Sequence, residues 1–180
     1  MVSGGIHLDG YADTWDAIAS HADAETRQKI LKDPHMGAFA AIRLCMYFAA
    51  GFALWVSLPR FRSVAIVSSF CLSRTLSALA ISLFPIREGA GLARSFADAS
   101  DRKAVRIISL TASVLLMIAM AVDGGILMVT AALVVFLLYR YWIVPAFQGL
   151  SGDLAGWFVQ TAEIWMLAAL CFGQFAEGLL

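Results

Sequence analysis

Charge is scarce in this sequence: of 180 residues only 14% are Asp, Glu, Lys or Arg, against 61% apolar, and the mean hydropathy is +0.79. Soluble globular domains carry about a quarter charged residues, so a chain this apolar needs lipid around it. Net charge is missing too, since 13 basic residues offset 13 acidic ones. With no dense Lys/Arg stretch either, nucleic acid is excluded as an electrostatic partner. Cysteine is limited to Cys45, Cys71 and Cys171, all in apolar segments and without a Cys-x-x-Cys pair. That odd, scattered set is no disulfide framework, and the three read as reduced packing residues. The N-terminal MVSGGIHLDGYAD lacks a basic region followed by an apolar core. It is therefore not a cleaved signal peptide, and insertion is expected to use internal segments.

What is present is length of apolar run. About 20 residues cross roughly 30 Å of hydrocarbon, and stretches of that order lie near residues 37–58, 63–84, 105–122, 125–146 and 154–175. The expected fold is all-α, a polytopic transmembrane helix bundle with about five spanning helices. No repeat or linker divides it. Residues 1–180 thus read as a single integral membrane domain, with 1–36 an acidic motif and interfacial helices at one face and 37–175 the spans. LPRFR between the first two spans and Asp123-Gly124 between the third and fourth are short enough only to reverse the chain. Strict alternation then puts the longer polar segments on the opposite face: residues 1–36, Arg87 to Lys103, and Gln148 to Asp153. Arg27, Lys29, Lys32, Arg87, Arg94, Arg102, Lys103 and Arg106 fall on that face, against Arg60 and Arg62 on the other. The positive-inside rule makes the polar face cytoplasmic, in the cell membrane.

The densest polar feature is GGIHLDGYADTWDA. Asp9, Asp13 and Asp16 stand at i, i+4 and i+7, which on a helix stacks them along one face. Carboxylates so placed repel one another unless a cation lies between them, and Mg²⁺ with its hard oxygen ligands is the natural one. The bland alternative, Asp13 capping a surface helix with Asp16 in its first turn, leaves Asp9 and Gly4-Gly5 without a role. In ILKDPHMGAFA, Lys32 and Asp33 precede the first span, where a lysine can meet phosphate and the aspartate can orient it or join the metal; an interfacial charge pair marking the membrane edge is equally consistent. In QGLSGDLAG, Gly149, Ser151 and Gly152 bring Asp153 to the start of the fifth span, as an N-cap or as part of an anion-facing helix end. REGAGLARSFAD offers Arg87 and Arg94 in a glycine-containing loop suited to phosphate. His7, His21 and His35 lack ligand-spaced partners of the zinc kind. Three charges lie inside spans: Arg43, Arg74 and Glu163. Charges at such depth cost at least ~2.5 kcal/mol for Arg. Arg74 and Glu163, at similar depth, are expected to approach each other, with Arg43 and Arg74 reaching toward substrate phosphates as the functional alternative.

Taken in order and spacing, GGIHLDGYADTWDA, ILKDPHMGAFA, REGAGLARSF and GLSGDLAG resemble the cobalamin-5′-phosphate synthases, or adenosylcobinamide-GDP ribazoletransferases, over essentially the whole chain. The first motif is the most specific. In the others Pro34 stands for a usual Ser, Ser151 for a usual Thr, Gln148 for a usual Gly and Arg94 for a usual Lys. The resemblance implies a transferase of late cobalamin synthesis that joins adenosylcobinamide-GDP to α-ribazole or its 5′-phosphate and releases GMP. It further implies Mg²⁺ on Asp9, Asp13, Asp16 and Asp153, chemistry by Asp13, Asp16, Lys32 and Asp33, and substrate binding by Arg74, Arg94, Ser151 and Arg43. Family members generally carry further apolar segments ahead of the first motif. Here Met1 precedes Asp9 by eight residues, so either those segments are lacking or the start lies upstream.

Two other readings compete. A CDP-alcohol phosphotransferase also clusters aspartates at a membrane face, but its pattern sets Arg after Asp-Gly-x-x-Ala, where this chain has Asp13. A cation-coupled transporter would use Arg43, Arg74 and Glu163 as its pathway, yet transport sites sit near the bilayer midplane and the acidic cluster here is at the edge. The expected partners are the two substrates and the lipid bilayer. A homo-oligomer is compatible with the sequence and not required by it.

Overall fold

A computed structural model of the chain describes residues 5–87 and 101–179. Apart from one isolated bridge, the described residues hold helices and no strand. Two short helices come first, α1 (Ile6–Ala19) and α2 (Ala24–Ile30), followed by α3 (Ala38–Val56), α4 (Ser63–Leu83), α5 (Arg102–Val122), α6 (Ile126–Ala146) and α7 (Gly152–Leu179). Five of these, α3 to α7, are long and apolar enough to cross a membrane, as the sequence pattern predicts. Large apolar side chains on their outer faces, among them Phe52, Val67, Leu115 and Phe172, are exposed, which is the expected state of a surface solvated by lipid.

Local chemistry sets the boundaries. Asp23 caps α2 by accepting the Thr26 N–H at 2.8 Å, and Asp101 caps α5 by accepting from Lys103 and Ala104; each satisfies donors that a helix start leaves open. Near its end α6 loosens into a π turn over Tyr139–Ile143. Tyr139 there is fully buried and stacks on Trp157 and Phe158 of α7, so the irregular turn points an aromatic ring into the core. The core runs along α7, whose Leu154, Phe158, Ala162 and Met166 are wholly buried against α1, α4 and α6.

The ends of the helices sort into two groups, and this sorting positions the site. At one end the α5–α6 turn meets the start of α4, where the Ala65 N–H donates to Asp123 Oδ2 at 2.8 Å. Arg62 lies 3.8 Å from Glu177 near the end of α7, and the Arg60 N–H donates to Gln174 at 2.7 Å. At the other end lie α1, α2 and the starts of α3 and α7. The exit of α4 also lies there, tied to the α6–α7 loop by Leu150 N–H to Pro85 O at 2.8 Å and Arg87 N–H to Leu150 O at 3.1 Å. Gly149, at φ 134°, lets that loop press against Arg87, whose backbone N would be 2.9 Å from an added Cβ. Among the described residues the helix ends thus sort as the alternation expects, while residues 88–100 of the second polar loop lie outside them.

Candidate metal and phosphate site

Helix α1 runs antiparallel to the first turns of α7 and is held there by two glycines. A Cβ on Gly10 would come within 2.6 Å of Asp153 O and 2.7 Å of Asp153 Cα, and one on Gly156 within 3.0 Å of His7 O. Backbone therefore meets backbone at both crossings, an approach open only to residues without a side chain. Next to them Tyr11 packs on Tyr47 of α3, with ring centroids 5.2 Å apart, and Trp15 packs on Trp157 of α7 at 6.1 Å. With its register so set, α1 turns Asp9 and Asp13 toward Asp153.

These three carboxylates line a hollow of about 760 Å³ together with Lys32, Asp33 and Leu31 from the α2–α3 segment and with Ile6, Leu8, Ala12, Met36 and Leu44. The hollow joins Asp9, Asp13, Lys32, Asp33 and Asp153, five of the residues that the sequence singles out. Burial first, then the charges of Asp9, Asp153 and Asp16, push the Asp13 carboxyl up to about 7. A carboxyl that resists losing its proton is short of positive charge around it. Among the described residues no three His, Cys, Asp or Glu side chains stand close enough to hold an ion as they are placed. In chemistry the donor set suits a hard cation such as Mg²⁺, which takes one or two carboxylates and keeps several waters.

Asp33 is committed elsewhere through one oxygen. Its Oδ1 accepts from the His35 N–H at 2.9 Å and lies 2.8 Å from His35 Nδ1, which holds the carboxyl below its ordinary range. Lys32 is exposed at the rim. Ser151 is buried, and its hydroxyl lies 3.4 Å from both Asp153 Oδ2 and the Leu154 N–H. It thereby orients Asp153 at the start of α7.

Other residues from the sequence reading lie apart from the hollow. Asp16 is not among its lining residues and points to the start of α3, where the Ala40 N–H donates to its Oδ1 at 3.3 Å. The Arg43 guanidinium sits 4.0 Å over the Trp15 ring, and this cation–π contact satisfies it locally. Arg74 forms the expected ion pair with Glu163, reinforced by Ser73, whose hydroxyl donates to Glu163 at 2.8 Å. Both arginines are spent on neighbours within the bundle. Among the described residues the buried His7 Nδ1 has no hydrogen-bond partner, and burial followed by the Arg74 charge holds the His7 pKa below the ordinary value. Arg94 lies outside the described residues. The roles of Gly10 and Gly156 were hidden in the sequence, where each is one of several glycines in a motif that also holds an aspartate.

Comparison with known proteins places the chain in a family. The family described as cobalamin-5-phosphate synthase matches residues 1–171. An adenosylcobinamide-GDP ribazoletransferase of Lachnoclostridium phytofermentans is 40% identical over 167 residues, covering 91% of this chain and 64% of the relative. Proteins of the same name from Geobacillus kaustophilus and Pseudomonas fluorescens are each 30% identical, over 96% and 94% of this chain and 71% and 70% of their own lengths. The chain therefore spans less than two thirds of the first of these relatives and somewhat more of the other two. No solved structure matches it.

Proposed function

This chain belongs to the cobalamin-5-phosphate synthase family, and from that premise we propose that it carries out the transfer named for its relatives. It joins adenosylcobinamide-GDP to α-ribazole, or to α-ribazole 5′-phosphate, and releases GMP. The observation that carries this reading is the single hollow lined by Asp9, Asp13, Asp153, Lys32 and Asp33. The reaction needs such a combination. A ribose hydroxyl attacks a phosphate that already bears negative charge, and more charge develops on the departing GMP.

Within the hollow Asp9, Asp13 and Asp153 would hold Mg²⁺, which would neutralise phosphate charge and polarise the phosphoryl group. Lys32 meets a phosphate oxygen at the rim with its ammonium. Ser151 keeps Asp153 turned inward, and one hollow-facing carboxylate takes the proton of the attacking hydroxyl. Asp33, anchored by His35, fixes the loop that presents Lys32. The basic residues near this end, against Arg60 and Arg62 at the other, support a cytoplasmic orientation of the hollow in the cell membrane.

Purified protein in detergent, given adenosylcobinamide-GDP, α-ribazole and Mg²⁺, is expected to release GMP in step with formation of the cobalamin product. Lys32→Ala should raise KM for adenosylcobinamide-GDP by about 10- to 100-fold, the equivalent of a charged hydrogen bond of roughly 1.5–3 kcal/mol. GMP release that persists without α-ribazole or its phosphate would mean hydrolysis and would refute the transfer.

A further inference from the structure

Asp16 shares a helix with Asp9 and Asp13 and follows Asp13 by three residues, yet its carboxylate has a different environment. It fits into the start of α3, where the Ala40 N–H donates to Oδ1 at 3.3 Å. Gly37, directly before α3, makes room for it, because a Cβ there would overlap both carboxylate oxygens. The α3 start has no side-chain cap of its own: Gly37 is its N-cap residue. A 19-residue helix whose first N–H groups lack a local acceptor offers a donor and a partial positive charge to whatever anion reaches it. Here the anion comes from another helix of the same chain. A carboxylate engaged in this way fixes the end of α1 opposite to the end that Gly10 and Gly156 fix against α7.

We infer that Asp16 is a positioning residue: it caps α3 from α1, and Gly37 is glycine in order to admit it. This inference rests on the proposed cation site for its consequence, since the docking holds Asp9 and Asp13 across from Asp153. Its structural content is independent of the reaction. Asn can still accept the Ala40 N–H through its amide oxygen, whereas Ala cannot, so the two substitutions separate a cap from a charged ligand.

The test combines Mn²⁺ binding, followed by electron paramagnetic resonance, with hydrogen exchange of the α1 peptide, on the purified full chain. Asp16→Asn is expected to keep the parent's Mn²⁺ affinity and α1 protection. Asp16→Ala and Gly37→Ala are expected to make α1 amides exchange about fivefold faster, the scale of a lost cap. Asp13→Asn, the ligand control, keeps α1 protected and weakens Mn²⁺ binding by about tenfold or more, since even residues behind metal ligands cost that much. Loss of Mn²⁺ affinity in Asp16→Asn equal to that in Asp13→Asn would overturn the inference, as would unchanged α1 exchange in Asp16→Ala. If the parent itself bound no Mn²⁺, the cation site would fail while the exchange arm still decided the docking.

Discussion

Replacing Gly10 by Ala adds one methyl group where two helices cross backbone to backbone. The new Cβ would lie 2.6 Å from Asp153 O and 2.7 Å from Asp153 Cα, whereas ordinary contact begins at 3.4 Å. Taking the difference, 3.4 minus 2.6, the helices must part by about 0.8 Å at that point. No flexible side chain is available to yield. Overpacking of this kind costs about 1–3 kcal/mol, and Ala repays about 1 kcal/mol through its better helix propensity. The net destabilisation is therefore about 0–2 kcal/mol, a fall in Tm of no more than about 8 °C for a chain of this size. Activity responds more steeply, because the shift separates Asp9 and Asp13 from Asp153, and a displacement near 1 Å at reacting groups costs about 100-fold in rate. Gly156→Ala, with its shortest contact at 3.0 Å, should fall between Gly10→Ala and the parent. GMP release and thermal unfolding in the same detergent measure both quantities. A Gly10→Ala protein with the parent's rate would refute the idea that this crossing sets the distance across the hollow.

The intramembrane pair offers a second check: Glu163→Gln should destabilise the protein, and Arg74→Leu/Glu163→Leu should recover much of the loss in thermal unfolding. The single-variant loss should reach the roughly 3–5 kcal/mol of a buried pair, because the exposed part of the Arg74 side chain lies on a spanning helix and faces hydrocarbon, where the charge left behind finds no water. A third concerns pH. Unfolded, Asp13 gives up its proton near the ordinary 3.8, and folded it keeps it to about 7. The native state then binds more protons between these values, so stability without divalent ions should decline as pH rises from about 4 to 7 and level off above. Mg²⁺ should reverse the trend, its stabilisation growing up to pH 7 as protons leave, and Asp13→Asn should flatten both curves in melts with EDTA or Mg²⁺.

The spanning helices were legible because hydropathy over some 20 residues has few competing explanations. The stretches read at 37–58 and 63–84 end within two residues of Ala38–Val56 and Ser63–Leu83, and α5 begins earlier than expected because Asp101 caps it. The ion pair of Arg74 and Glu163 followed from depth alone, since each charge needs a partner in hydrocarbon. Side-chain direction within the acidic motif was not legible. Spacing at i, i+4 and i+7 puts Asp9, Asp13 and Asp16 on one helical face, but a face about two turns long can meet two neighbours. In this fold Asp9 and Asp13 meet the hollow and Asp16 meets α3. Likewise nothing in the spacing signalled that Trp15, distant in sequence, would lie under the Arg43 guanidinium. What decides such cases is tertiary packing between glycines and aromatic rings, which carries no periodicity.

The central claim is that carboxylates from α1 and from the start of α7 share one divalent cation, and a Mn²⁺ titration measures it most directly. One ion per chain is expected for the parent, with affinity falling in Asp13→Asn and in Asp153→Asn alike and unchanged in Asp123→Asn at the opposite end of the bundle. Equal affinity in the parent, Asp13→Asn and Asp153→Asn would contradict it.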